Sequence, residues 1–280
     1  MKYMKNLIGA VVLCLVLGAC NNGGRKAEGL LTLAREAYAD GRYTEAKLLI
    51  DSAKTTYPKA YDARREGLAL KREVELAEAT RTLAYLDSLY AAQQLRLDSL
   101  RPGFVFEQDT AYESVGHYLY PSQVIERNLH RSYLRFRTDA NGRLTMTATY
   151  CGSYNIHHNS VRITAPDGSF ASTPIARDCY ETEILGERLE KSEFALGQDG
   201  DVMAFIRLNN DKNLRLTFSG EKTFHTNLLP DDRKALVAVY ALAEHLTAMA
   251  QTREGIDEAQ RRIDFYKKAI DRAQSEADAD

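Results

Sequence analysis

The 280-residue chain contains no tryptophan, only six prolines and four cysteines, and carries a formal charge of just −2. Near-neutrality excludes the concentrated basic footprint by which proteins hold nucleic acid, so no nucleic-acid partner is expected. Its longest apolar run is Leu7–Leu17, and about ten residues are too few to cross a bilayer as a helix. A Gly-rich phosphate loop, a Gly-x-Ser-x-Gly elbow and a His-Glu-x-x-His pair are also missing. These absences remove the commonest nucleotide-binding, serine-hydrolase and zinc-peptidase chemistries. No cofactor is expected.

What is present begins at the N-terminus. Lys2 and Lys5 precede the apolar run, which closes on Leu17-Gly18-Ala19-Cys20. A basic start, a short apolar core and small residues are the pattern of a secretory signal. Ending in cysteine, the segment resembles the lipobox of bacterial lipoproteins. The resemblance implies a signal peptide over 1–19, cleavage before Cys20, and lipid on the thiol and the new amine of Cys20. Several acyl chains hold a protein firmly to a membrane. Asn21 stands where retention in the inner membrane usually requires Asp, so the resemblance implies an outer-membrane lipoprotein. No acidic run follows Cys20, which favours the periplasmic face. Residues 20–29, with Gly23 and Gly24, read as lipid attachment and a flexible tether.

Residues 25–100 are rich in Ala, Leu, Glu, Lys and Arg and read as helix. Within 30–59, Leu30, Leu33, Ala34, Ala37, Tyr38, Gly41, Tyr43, Ala46, Ile50, Ala53 and Pro58 resemble one tetratricopeptide repeat, a helical hairpin turned at Gly41. A second copy is not found, since Glu75 stands where the next turn glycine would fall. A single unit cannot bury its apolar face alone. In segment 60–101, Ala69, Leu76, Leu83, Tyr90 and Leu97 fall seven apart, with Ala79, Leu86 and Leu100 in a companion seam interrupted by Gln93. In segment 229–276, Ala235, Leu242, Met249, Ile256, Ile263 and Ile270 do the same, followed by Ala259, Tyr266 and Ala273. Sustained heptads predict coiled-coil packing. We expect an antiparallel pair of long helices with the middle of the chain inserted between them, and an acidic tail at 277–280; packing of each helix on the domain core as an ordinary amphipathic helix, and a parallel homodimer, are the alternatives.

The middle, 102–228, reads as antiparallel strands. Tyr133–Arg137 and Arg143–Tyr150 flank Asp139-Ala140-Asn141-Gly142, a strong hairpin signal because Asn-Gly tolerates positive φ. Ser160–Thr164 and Ser169–Ser172 flank Pro166-Asp167-Gly168. Val202–Leu208 and Leu214–Phe218 suggest a third hairpin, and 183–195 a helical or mixed interruption. The fold class expected is α+β: helical hairpin, two long heptad helices, and an inserted sandwich or small barrel.

Candidate chemistry is sparse. Cys14 lies in the signal, which leaves Cys151 and Cys179 as a pair in an oxidising compartment. A disulfide between them would stabilise by about 3–4 kcal/mol. With His157 and His158 the same cysteines suggest a metal-dependent hydrolase, although adjacent histidines on a strand point to opposite faces. A Cys–His nucleophile, a Glu181/Glu183 acid–base pair and a calcium contact at Asp199-Gly200-Asp201 are weaker readings. Tyr118, Tyr120, Tyr150, Tyr154 and Tyr180 concentrate in the β region and suggest a glycan-binding surface, since tyrosine joins an apolar body to a polar tip. The leading expectation is a non-enzymatic envelope scaffold or adaptor. It would be held to the membrane by its N-terminal lipid and would present the β region to an envelope protein partner; glycan binding is the alternative.

Replacing Cys20 tests the lipobox. Cys20→Ser should release the protein from the membrane pellet and remove the acyl mass from its N-terminal peptide. An unchanged membrane fraction would contradict the lipobox reading.

Overall fold

A computed structural model describes residues 23–108, 115–184 and 186–277. The signal segment 1–19, the lipid site Cys20 and tail residues 278–280 lie outside the described residues. The chain is α+β and divides into two units: residues through Ser88 together with Glu254 onward, and Leu89–Arg253. Among the described residues, no helix is long and apolar enough to cross a membrane.

The first unit is helical. It contains α1 (23–39), α2 (Tyr43–Thr56), the first part of α3 (Tyr61–Leu100) and the last part of α5 (Pro230–Ala277). Gly41 turns α1 into α2 at φ 72°, a backbone setting that suits glycine. Ala34 and Ala37 on α1 meet Ala46, Ile50 and Ala53 on α2 in one buried cluster. Small residues lie where the two helices approach, as the repeat-like pattern predicts. The neighbour that a lone hairpin needs is α3 itself, which adds Ala63, Leu70 and Val74 to the cluster. This local role corrects the start of the heptad: Ala69 is exposed, because the first turns of α3 face α1 and α2. The expected tether is also corrected. Gly23 and Gly24 are already helical, since buried Ala27 and Leu31 extend the apolar face of α1 toward the N-terminus.

Within this unit α3 and α5 run antiparallel. Arg262 on α5 pairs with Glu75 at 2.6 Å and with Glu78 at 3.2 Å on α3, and Gly255 faces Leu86. Within the second unit the same sense holds. His245 Nε2 approaches the Gln93 carbonyl at 2.9 Å, and Leu97 packs with Leu242, Leu246 and Met249. The heptad positions Leu242, Met249 and Ile263 are buried, as their spacing predicts.

The second unit is built on two antiparallel sheets. β1 (Val105–Glu107), β2 (His117–Leu119), β3 (Tyr133–Asp139), β4 (Leu144–Gly152), β7 (Cys179–Ile184) and β8 (Glu187–Ala195) form a six-stranded sheet in the order β1-β2-β3-β4-β8-β7. β5 (Ser160–Thr164), β6 (Phe170–Ser172), β9 (Leu214–Ser219) and β10 (Thr223–Leu228) form a four-stranded sheet in the order β10-β9-β5-β6. Phe136, Met146 and Tyr150 from one sheet meet Val161, Ile163, Leu216 and Phe218 from the other. Leu236, Val239 and Ala243 of α5 complete the same core. The β region is therefore not a closed insert over 102–228, because part of its core lies on α5.

Two hairpins form where expected, β3–β4 and β5–β6. The third is corrected. Residues Val202–Leu208 form helix α4, burying Val202, Met203 and Ile206 on one side. A short apolar run does not distinguish a strand from a buried helix turn by periodicity alone. Here the Asp199 carboxylate accepts the Met203 N–H at 2.7 Å and starts a helix. The stretch 183–195, expected to be a helical or mixed interruption, is corrected too: β7 and β8 form a hairpin there. Glu and Lys favour helices, but Glu190, Ser192 and Phe194 alternate inward, and that period belongs to a strand.

The β3–β4 turn touches α5. Gly142 has φ 83°, and a Cβ there would lie 2.5 Å from both the Ala243 carbonyl oxygen and the Thr247 nitrogen. Gly168, at φ 86° in the β5–β6 turn, has open space. Gly168→Ala should cost about 1–2 kcal/mol, the left-handed strain alone. Gly142→Ala adds overpacking and should cost roughly 3 kcal/mol in urea denaturation. Equal costs would show that the turn does not bear on α5.

Candidate functional site

β8 lies between β4 and β7, and its two faces separate the candidate residues. Cys151 on β4 sits opposite Leu189, whereas Cys179 on β7 sits opposite Ser192. Side chains alternate along a strand, so a separation of three residues along β8 puts the thiols on opposite faces of the sheet, with a strand between them. Both are free cysteines, and the expected disulfide is not formed. Their spacing in sequence suited a bridge; the register of β8 prevents one.

On the inner face, β8 carries Glu190, fully buried. One carboxylate oxygen accepts the Ile156 and His157 N–H groups at 2.7 and 3.0 Å. The other accepts the His158 N–H at 2.8 Å and meets His158 Nδ1 at 3.0 Å. His157 takes φ 51°, which turns three successive amides toward one carboxylate. Burial alone would raise the Glu190 pKa, but these hydrogen bonds outweigh it and hold the carboxyl below its usual range. Burial pushes the His158 imidazole down, against the opposing pull of Glu190. Burial thus favours the neutral imidazole, whose Nδ1–H donates to the carboxylate.

This arrangement bears on the metal reading. Donor atoms of His158, Cys179 and Glu190 lie within 4.8 Å of one another, as do those of His157, Glu181 and Glu190. Cys151, on the other face, cannot join them. A carboxylate offers about four lone-pair directions, and those of Glu190 are all engaged. Glu190 therefore acts as a clamp on the 156–158 loop. Burial also raises the pKa of both thiols, that of Cys151 to about 11, which keeps them protonated and weakly nucleophilic. Glu181 is held by Asn155 and His157, and Glu183 pairs with Arg188 at 2.7 Å. Asp199 caps α4.

The five candidate tyrosines do not form one surface. Tyr150 is buried in the core, where its hydroxyl donates to the Tyr154 carbonyl at 3.0 Å. Tyr118 packs beside Phe106 and against the Leu97–Leu242 cluster, and Tyr120 stacks edge-on to Phe104. Tyr154 and Tyr180 are exposed.

A different feature emerges on the outer face of the six-stranded sheet. Thr149, Cys151 and Leu189 floor a groove of about 250 Å³, and the 121–131 segment borders it. Ile125, Leu129 and Ile184 stand at its rim, 49%, 58% and 51% exposed. Edge strand β7 runs beside it and pairs only with β8 among the described residues. The bordering segment is fixed by Asp232 at the start of α5. Its buried carboxylate accepts Arg131 Nη2 at 2.6 Å and Gln123 Nε2 at 2.9 Å. Gln123 Oε1 in turn accepts the Phe136 N–H at 2.9 Å. Asp232 reads in sequence as a helix-start acid, and nothing local marks its long-range partners.

The chain matches no protein-family model, no curated protein and no solved structure.

The Glu190–His158 pair makes the β unit sensitive to acid. The His158 folded-state pKa is depressed, so below about pH 6.5 the unfolded chain takes the proton first and stability falls. The Glu190 contribution is full above about pH 4.3 and is lost as pH drops through its lowered folded value. His157, raised by its bond to Glu181, works in the opposite sense but is exposed and screened. The melting temperature should therefore fall from pH 7 to 5, and fall again below 4. His158→Gln should flatten the first step. Glu190→Ala should cost about 3 kcal/mol at pH 7, because it leaves buried amides unpaired. A flat melting profile in the parent chain would contradict the clamp.

Proposed function

We propose that the chain is a membrane-anchored envelope lipoprotein acting as a non-enzymatic scaffold or adaptor, one that presents its β unit to a protein partner. The lipid at Cys20 holds it at the outer membrane, facing the periplasm. The groove on the outer face of the six-stranded sheet carries this reading. Exposed aliphatic side chains at Ile125, Leu129 and Ile184 gather there beside edge strand β7, whose outer side pairs with no strand among the described residues. Apolar side chains grouped in this way mark interaction sites, and an open strand edge accepts an extended segment by backbone hydrogen bonding. The raised thiol pKa values and the saturated Glu190 carboxylate support a non-enzymatic role. For glycan recognition, burial of Tyr150 leaves Tyr154 and Tyr180 as separate exposed rings, a weaker basis.

A photo-crosslinking residue at Leu129, compared with one at Leu208 (77% exposed, on α4), tests the groove in intact cells. A discrete protein adduct is expected from position 129 and not from 208. Ile184→Lys should abolish that adduct without lowering the melting temperature. Equal labelling at both positions, or none at 129, would overturn the adaptor reading.

A further inference from the structure

The helical unit holds a second recess, independent of the sheet groove. It is a cleft of about 640 Å³ lined by α2, α3 and the C-terminal part of α5; α1 contributes no lining residue. Its interior is apolar: Ile50, Ala63 and Gly67 are buried along it. At its edge Tyr61 is 73% and Leu68 54% exposed.

The charges around it are unbalanced. Of the two acidic lining residues, Asp51 is neutralised by Lys71 at 2.7 Å and Glu75 by Arg262 at 2.6 Å. Arg65 pairs with Asp62 at 2.8 Å, and Arg64 Nη1 donates to the Pro58 carbonyl. Lys54 and Arg72 have no ion-pair partner among the described residues. The cleft therefore combines an apolar interior with three cations, Lys54, Arg64 and Arg72, that form no ion pair among the described residues.

We propose that this cleft binds an acidic peptide segment of a partner protein. Its Asp or Glu carboxylates would meet Lys54, Arg64 and Arg72, and an aliphatic or aromatic side chain beside them would pack on Leu68 and Tyr61. Charge complementarity selects the anionic partner, and arginine recognises carboxylates through paired N–H donors. The recessed shape selects a chain over a bilayer: the site is a cleft walled by three helices, which an extended segment fills and a flat headgroup surface does not. Taking the partner to be a protein rests on the adaptor reading above, but the cleft lies in the other unit and uses none of the sheet-groove residues.

The test uses the unlipidated mature chain from Asn21 onward, immobilised and challenged with a randomised peptide-display library. Selected sequences should be enriched in Asp or Glu next to Leu, Ile or Phe. In fluorescence polarisation, a selected peptide should lose at least tenfold in affinity against the Lys54→Glu/Arg72→Glu chain. It should weaken with added salt, bind Arg72→Lys with intermediate strength, and be indifferent to Leu129→Asp. Lys54 and Arg72 make no internal ion pair, but Lys54 lies in the last turn of α2, where a cation suits the helix dipole; the reversed chain should therefore melt slightly lower yet stay fully folded at the binding temperature, which separates lost binding from lost folding. Selection without acidic enrichment would overturn the proposal, as would affinity that survives charge reversal. Binding to phosphatidylglycerol vesicles with no peptide selected would identify the site as a membrane contact instead. Because Leu129→Asp and the crosslinking residue at 129 touch only the sheet groove, failure of either surface is read separately from the other.

Discussion

Helix α5 presents two apolar stripes within the β unit, and the arrangement of that unit depends on both. Leu236, Val239 and Ala243 enter the sandwich core, while Leu242, Leu246 and Met249 pack against Leu97 on α3. An amphipathic helix normally commits one face; this one is apolar over enough of its circumference to serve two neighbours. The consequence is structural interdependence. The sandwich core includes side chains of α5, and the turn at Gly142 closes against the α5 backbone with no room for a side chain. Strands β3 and β4 and the C-terminal helix thus share a core although some eighty residues separate them in sequence.

Two buried carboxylates extend that interdependence to the loops. Glu190 gathers three backbone amides and an imidazole, and so holds a loop that would otherwise expose unpaired donors. Asp232 receives Arg131 and Gln123 across more than a hundred residues of sequence and fixes the segment bordering the outer groove. A buried charge is costly unless saturated with hydrogen bonds, and once saturated it specifies one arrangement of its surroundings. The exposed apolar rim at Ile125 and Leu129 is positioned by this polar anchoring, not by packing of its own.

The helical elements were largely legible because their signals are local and periodic. Ala37, Gly41, Ala46 and Ile50 occupy the places that their spacing suggests, and Leu242, Met249 and Ile263 are buried at heptad intervals. The hairpins at Asn141-Gly142 and Asp167-Gly168 were legible for the same reason. Readings failed where local preference and tertiary environment disagree. Glu187–Ala195 is rich in helix formers yet alternates as a strand against two neighbours. Val202–Leu208 is apolar enough for a strand, yet it forms a helix started by Asp199.

Composition and periodicity by themselves determined the α+β class, the presence of two long helices and two of the β turns, since each depends on contacts within a few residues or on a repeated spacing; the antiparallel sense of the helices rests on long-range pairs such as Arg262 with Glu75. Only the tertiary structure decided which candidate residues meet. Strand order and register put Cys151 and Cys179 on opposite faces, buried Tyr150, and brought Glu190 to His158 and Asp232 to Arg131. A shift of one residue in register turns every side chain of a strand to the other face. No local feature of the sequence records that parity.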